Sequence, residues 1–371
     1  MLTGATPVAN GGTALTSGFV NGKDPRKNAQ PLIINGDMGI WQRSTSTVTM
    51  SDGYYNCDRF RGEEGTDGTA TWSRSTSVPD NTGLAYSLQV DCTGTDSSIG
   101  SGQQTNIQQT IEAQNLQLLK WGTSDAEKLT LAFWCKSNQT GQHSVALRKL
   151  DNTAYNQPKT YTISSANTWE KKVLVFSALT SSGGEINNDN GDGLQVFWKL
   201  AAGSNYQGTA DTWTATNQGA TAVSGDVNFM SSTDNNFYLT GVQLEIGEFS
   251  STTIPPFQHE TFGENLARCQ RYFQAFHPRG SGKAFGSTTA YLQVPFLKPM
   301  RSTPSYSQNA VFRITNNDTG EFTQSSAGGG FDQSDNHSGR LAGNNFSSLT
   351  DAQTIHASPN GNVSAHFDSE L

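Results

Sequence analysis

The run GVQLEIGEFSSTTIPPFQHETFGENLARCQRYFQAF, Gly241 to Phe276, decides how the chain is divided. Together with the preceding FYLT, its first residues alternate apolar and polar as a strand does. Pro255-Pro256 then stops the strand, because proline supplies no ladder donor. Thr261 followed by Glu264 is the T-x-x-E pattern of a capping box, which opens a helix. Leu266, Cys269, Tyr272, Phe273 and Phe276 recur at helical spacing beyond it. The reading is a strand, a proline break and a short amphipathic helix over 259–276 that hinges two domains.

Outward from this stretch the sequence is all-β. Charged residues make up 15% of the 371, against ~25% in ordinary domains, and Ser, Thr, Asn, Gln and Gly take their place. Those residues favour turns and strand surfaces over helices. Upstream, short strand-like runs such as YSLQVDC from Tyr86, KLTLAFWCKS from Lys128 and LQVFWKL from Leu194 alternate with breakers such as SSGGEINNDNGDG, Ser181 to Gly193. That spacing is the signature of a sandwich or barrel. In LTLAFWCKS, Leu129, Leu131, Phe133 and Cys135 are expected on the core face, with Thr130, Ala132 and Trp134 opposite. A strand is expected at about 106–112 and a short helix at about 115–120. Downstream, AYLQVPFLKP, GRLAGNNF and VSAHFDSEL are strand-like again. The division expected is an N-terminal arm or anchor over 1–30, a first β domain over 31–258, the helix over 259–276, and a smaller β-sandwich over 277–371. The arm is too poor in large apolar groups to offset its chain entropy alone.

Composition narrows the partners. A formal charge of −8 and no clustered Lys/Arg patch argue against nucleic acid, which needs a positive footprint. No run approaches the ~18 apolar residues of a membrane span and the Met1 end has no signal-peptide pattern, so synthesis in a reducing cytoplasm without membrane insertion is expected. The four cysteines, Cys57, Cys92, Cys135 and Cys269, are scattered without metal-binding spacing and read as free, buried thiols. The six histidines are dispersed, and neither hydrolase nor nucleotide-binding motifs occur. No cofactor and no metal are expected; the oxygen-rich Ser181–Gly193 run lacks EF-hand spacing and reads as a turn. Trp41 is expected in the core and Arg43 in a pair with Asp58, locking a sandwich edge.

Five motifs in order then carry a resemblance: INGDMGIWQRSTS (Ile34–Ser46), YYNCDRF (Tyr54–Phe60), the Gly241–Phe273 stretch, PFLKPMRSTPSYS, and the terminal HFDSEL. Over about 32–371 the chain resembles bacteriophage tail fibre and receptor-binding proteins. The resemblance implies a jelly-roll domain like a carbohydrate-binding module, then a small β-sandwich, in a homotrimeric virion protein that mediates adsorption. It implies a host-surface glycan as receptor and other virion proteins, a tail hub, adaptor or capsid, as partners through the N-terminal arm. A poorly self-sufficient arm and a proline-broken hinge also favour symmetric association. The long repetitive shaft of many fibres is missing, so the mounting point on the particle stays open.

Sugar recognition needs aromatic faces for C–H surfaces and amides or carboxylates for hydroxyls. The loop AGSNYQGTADTWTATNQGATAVSGD, Ala202 to Asp226, offers Tyr206 and Trp213, and the strand leading into it offers Trp198. These three are the candidate carbohydrate-binding residues, with Trp213 also readable as a staple that packs the long loop. Arg268 and Arg271, three apart, are candidates for a subunit interface. No catalytic residue is assigned. The expected role is an adhesive virion fibre without enzymatic activity; a capsid decoration or head fibre, a glycan-degrading tailspike, and a module from a secreted enzyme are the alternatives.

Overall fold

A computed structural model describes residues 30–276, 280–308, 310–311, 313–316, 320–357 and 365–371. The expected N-terminal arm lies outside the described residues except for Gln30. The chain divides into two compact units, with the boundary between Glu260 and Thr261.

The first unit carries strands β1 (Val48–Thr49), β2 (Arg61–Glu64), β3 (Thr69–Ser75), β4 (Ser87–Gly94), β5 (Gln104–Glu112), β6 (Leu129–Ser137), β7 (Gly141–Lys149), β8 (Tyr155–Ile163), β9 (Glu170–Phe176), β10 (Asp192–Ala202), β11 (Thr214–Ala215) and β12 (Asn236–Ile246). They form two six-stranded sheets, ordered β1-β3-β4-β12-β6-β9 and β11-β8-β7-β10-β5-β2, here called sheets A and B. Named strand pairs are antiparallel throughout, and most connections pass from one sheet to the other, which makes the unit a jelly-roll sandwich.

The period-2 pattern of the strands places the core. In β6, Leu129, Leu131, Phe133 and Cys135 are all fully buried and join one core with Leu194, Val196 and Trp198 of β10. The ring of Phe133 meets that of Trp198 edge-on at 5.8 Å, which ties the two sheets together. Ala132 on the opposite face of β6 is also buried, because Phe249 and Ile254 of the segment after β12 fold over it. Gly241 sits in β12 at φ +59°, within a register shift between Thr240 and Gln243. A Cβ there would stand 2.9 Å from Trp134, so both dihedral and space require glycine.

The opening motif is bound into this frame by buried polar groups. Gln109 points into the core yet satisfies its amide on Ile34, donating to the carbonyl and accepting from the N–H at 2.9 Å each. Asp58 accepts from Gln42 N at 2.9 Å and lies 4.0 Å from the Arg43 guanidinium, the pairing expected from sequence. Trp41 is packed, half-buried, against the core. The strand expected at 106–112 is the centre of β5, and Ala113–Leu119 is a 3-10 helix. All four cysteines are buried thiols outside any disulfide among the described residues. Within the Ser181–Gly193 run the carboxylates cap its own turns, Asp189 accepting from Gly191 N and Glu185 from Gly183 N, while backbone oxygens of the run accept from Ala113, Gln114 and Leu150.

The second unit opens with helix α1 (Phe262–Cys269), capped as the sequence implies. Thr261 Oγ1 accepts from Glu264 N, and the Glu264 carboxylate accepts from Thr261 N, each at 3.3 Å. The helix is shorter than the expected 259–276. It ends at Cys269, and Phe273–Phe276 is strand β13, paired with the C-terminal strand. The aromatic residues satisfy either period over so short a run, and pairing with a partner strand decides it. Gln274, fully buried between Phe273 and Ala275, seals the new path: it donates to Lys298 O and Gln270 O and accepts from Leu297 N.

The remaining strands are β14 (Ser281–Phe285), β15 (Thr289–Pro295), β16 (Ser305–Gln308), β17 (Arg313–Asn316), β18 (Glu321–Thr323), β19 (Gly329–Asp332), β20 (Ser338–Gly343), β21 (Thr354–Ala357) and β22 (Ala365–Asp368). They make a three-stranded sheet, β13-β22-β16, and a seven-stranded sheet, β18-β17-β21-β14-β15-β20-β19. The core is aromatic: Phe276, Phe296, Tyr306 and Phe331 surround Phe367 with ring centroids 4.9–5.5 Å away. Arg301 of the MRSTP motif donates to the carbonyls of Ser369 and Glu370, so two motifs distant in sequence meet here.

Candidate functional site

Sheet B turns one row of side chains inward and the alternate row outward. In β10 the sequence L-Q-V-F-W-K-L sends Leu194, Val196, Trp198 and Leu200 to the core, leaving Gln195, Phe197 and Lys199 on the outer face. Residues directly opposite on paired strands share a face. Glu63, Asn106, Lys199 and Ser144 therefore form one row across the sheet, and Arg61, Gln108, Phe197 and Ala146 the next. Thr110, Gln195 and Arg148 form a third.

The loop from Gly203 to Thr221 rises beside these rows and makes them the floor of a groove of about 200 Å³. Its walls add Tyr206, Gln218, Gly219 and Thr221. The loop is held by its backbone: Tyr206 O accepts from Thr221 N at 2.8 Å and Ala222 N at 3.0 Å, and Gly208 N donates to Ala222 O at 2.9 Å. Where the two limbs meet, Gly219 has φ +96° and a Cβ would lie 2.6 Å from Asn205 O. Glycine is what lets the wall close.

The floor is densely hydrogen-bonded. The Glu63 carboxylate accepts from Gln104 Nε2 at 2.7 Å and from Asn106 Nδ2 at 3.0 Å, and lies 3.9 Å from Arg61. Lys199 is buried, with its ammonium 4.9 Å from the Phe197 ring centre and 5.1 Å from that of Tyr206. Its one hydrogen-bond acceptor among the described residues is Gln104 Oε1. Burial, reinforced by the neighbouring Arg148 charge and opposed by Glu63, brings its pKa down to about 7. Arg148 donates through Nη2 to Asn217 O, while its Nε and the Thr221 hydroxyl are buried without a hydrogen-bond partner among the described residues. Burial pushes the Tyr206 phenol up, and Glu63 adds to the shift.

Of the three residues expected to bind sugar, the structure brings Tyr206 alone to this groove. Trp198 is fully buried, facing Phe60 and Phe133 in the core, and is corrected to a packing residue. The reason is strand parity: it shares the inward row with Leu194, Val196 and Leu200. Trp213 lies away from the groove, edge-on to Trp121 at 5.2 Å, with its indole N–H donating to Ser177 O at 3.0 Å. It staples the long loop. Arg268 is in α1, but Arg271 lies beyond its end, in the turn before β13, so the two do not share one helix face. Arg271 offers its carbonyl to Arg301 N and Ser369 Oγ.

Sequence reading missed Arg61, Glu63, Gln108, Arg148, Gln195 and Lys199. The signal for two of them was present, since Gln195 and Lys199 alternate with the apolar residues of β10. The rest depended on which strands become neighbours. A second recess, about 310 Å³, lies on sheet A and is lined among others by Leu84, Trp134, Pro256, Phe257 and His259.

The first unit is thus a jelly-roll sandwich with a polar groove on one outer face. No protein-family model matches the chain, and no curated protein matches it in sequence. Among solved structures it is similar to the enzymatically active domain of a bacteriophage CBA120 tailspike, at 14% identity and TM-score 0.30, over 58% of this chain and 21% of that one. It is similar to a family 11 carbohydrate-binding module from Clostridium thermocellum, at 9% identity and TM-score 0.27, over 56% and 99%. An exo-beta-agarase matches at 10% identity and TM-score 0.28, over 65% and 35%. These neighbours include both binding modules and enzymes, and at such TM-scores the likenesses carry no argument about function.

Proposed function

We propose that the first unit binds glycan in the sheet B groove and that the chain is a phage fibre protein bringing this site to the host surface. The observation that carries the binding reading is the floor itself. Gln108 and Gln195 present amides that both donate and accept, and Arg148 donates in a planar fork, while Glu63, Gln104 and Arg61 hold one another in place as the polar base beneath them. That set matches vicinal hydroxyls, which also donate and accept, while Phe197 and Tyr206 offer ring surface to sugar C–H groups.

A single carboxylate, Glu63, lines the groove. Glycoside hydrolysis commonly takes two carboxyl groups across the scissile bond, so the lining favours binding over cleavage. The virion role rests on the five ordered sequence motifs. Single-site affinity of a shallow polar groove is modest, and a homotrimer mounted in several copies on a particle would multiply it by avidity.

The test is titration of the full chain against an array of bacterial surface polysaccharides, alongside the Gln108→Ala/Gln195→Ala double variant and an assay for new reducing ends. The expected result is binding without new reducing ends, weakened at least about tenfold in the double variant, since two lost hydrogen bonds at ~1 kcal/mol each exceed one decade. Binding that the double variant leaves intact, or binding to no glycan at all, would overturn the reading. New reducing ends would replace it with an enzyme.

A further inference from the structure

We infer that the glycan bound in the sheet B groove is acidic, and that its carboxylate or phosphate oxyanion sits at Lys199 between the rings of Phe197 and Tyr206 with Arg148 beside it. This rests on the glycan-binding reading and names its ligand class.

The argument is one of charge. The chain as a whole is acidic, at −8. The groove lining runs the other way, with Arg61, Arg148 and Lys199 against Glu63 alone. That one carboxylate is already engaged, holding Gln104 and Asn106 with its two oxygens. Arg61 is taken up by Asp52 and Glu63 at the sheet edge. Lys199 is different: it is buried, has no carboxylate in hydrogen-bond contact, and rests its ammonium on a neutral amide oxygen and two ring faces. A buried charge is costly unless paired. Arg148, with its Nε unpartnered, stands in the same lining. An oxyanion entering here would pair with Lys199 and give Arg148 an acceptor, whereas a neutral sugar would leave both short of negative charge.

Protonation supplies a second handle. The charged groups facing Lys199 are Glu63 from β2 and Arg148 from β7, with Tyr206 from the loop as the further titratable group. Because the free lysine titrates near pH 7, an oxyanion that requires its proton binds more weakly as pH rises through that value. A uronate stays ionised over the same range, so on the oligogalacturonide the change belongs to the protein, and the pH series is read on that probe; a phosphomonoester loses its own second proton at pH ~6.

The experiment compares the full chain on three probes of equal length: an oligogalacturonide, its carboxyl-reduced neutral counterpart, and a phosphomannan fragment with and without enzymatic dephosphorylation, all within the polysaccharide array. The expected result is at least about tenfold tighter binding of an acidic member than of its neutral counterpart, with affinity falling about tenfold from pH 6 to 8.5. Lys199→Met abolishes both the preference and the pH dependence. Arg148→Gln, at a half-exposed position, lowers the preference, and an unchanged urea midpoint checks that losing its bond to Asn217 O leaves the fold intact. Loss on carboxyl reduction assigns a carboxylate and loss on dephosphorylation a phosphate. Equal binding of neutral and acidic members, or a preference that survives in both variants, would overturn the inference and leave the glycan-binding reading standing. Failure to bind any array member would bring down that reading as well.

Discussion

The outer faces of the two sheets each hold a lysine between two aromatic rings, and the contrast between them separates structure from function. On sheet A, Lys136 lies 4.0 Å from the Tyr238 ring centre and 5.4 Å from that of Trp169, and donates to Ser77 Oγ at 2.6 Å. It is half-buried, outside the linings of both recesses described above, and desolvation lowers its pKa. On sheet B, Lys199 has similar ring neighbours but stands at the bottom of a groove among Arg61, Glu63 and Arg148. The motif of a cation between rings is therefore common to both faces. What differs is the polar floor and the charge around it, and these make one lysine a covering residue and the other a candidate ligand residue.

The largest effect should come from below the groove. Trp198→Ala removes a fully buried indole that touches Phe60 and Phe133. A cost of ~3–5 kcal/mol is expected, read as a fall in the urea midpoint. Phe197→Ala, one residue along on the outer row, should cost less stability and lose glycan binding instead. A Trp198→Ala protein that keeps its stability and loses binding would reverse this assignment of the two faces.

That pair of residues also shows how far the sequence could be read. The alternation in β6 and β10 was visible, so the sandwich and its core were legible, as was the helix N-terminus from Thr261 and Glu264. The same alternation puts Trp198 inside with Leu194, Val196 and Leu200, although the polar loop that follows the strand suggests a surface tryptophan. The rows Glu63–Asn106–Lys199 and Arg61–Gln108–Phe197 could not be read at all, because they join strands roughly 45 and roughly 90 residues apart in chain order. Only sheet topology brings them together. The end of α1 was illegible for a different reason: aromatic residues at 272, 273 and 276 fit both a helical face and a strand, and pairing with β22 decides between them.

Next in size is the stability cost carried by Lys199. Its folded pKa of about 7 lies below the ordinary lysine value of ~10.4, so between those values the unfolded chain binds more protons. Stability therefore rises with pH across that window, and the full cost, a few kcal/mol, is present below pH 7. Lys199→Met removes the charge while keeping an unbranched apolar chain. At pH 6 the variant should be more stable than the parent, and the advantage should shrink steadily toward pH 10. Urea unfolding at pH 6, 8 and 9.5 measures it. Parallel curves for the two proteins would mean that the groove lysine is solvated as freely as a surface one, and the contrast with Lys136 would disappear.

The smallest effect should be at Lys136 itself. Lys136→Met gives up a cation–π contact worth ~0.5–1 kcal/mol and a hydrogen bond to Ser77 worth about as much, while gaining apolar contact with Tyr238 and Trp169. The net loss of stability should be about 1 kcal/mol or less, read as a small fall in the urea midpoint. Glycan affinity should be unchanged, because the residue faces away from sheet B and no partner of the groove touches it. The same substitution is thus made at two lysines with the same aromatic setting. If Lys136→Met weakened binding as much as Lys199→Met, the aromatic pairing and not the polar floor would be the determinant, and the site would have to be sought on sheet A, where Trp134, Phe257 and His259 line the other recess.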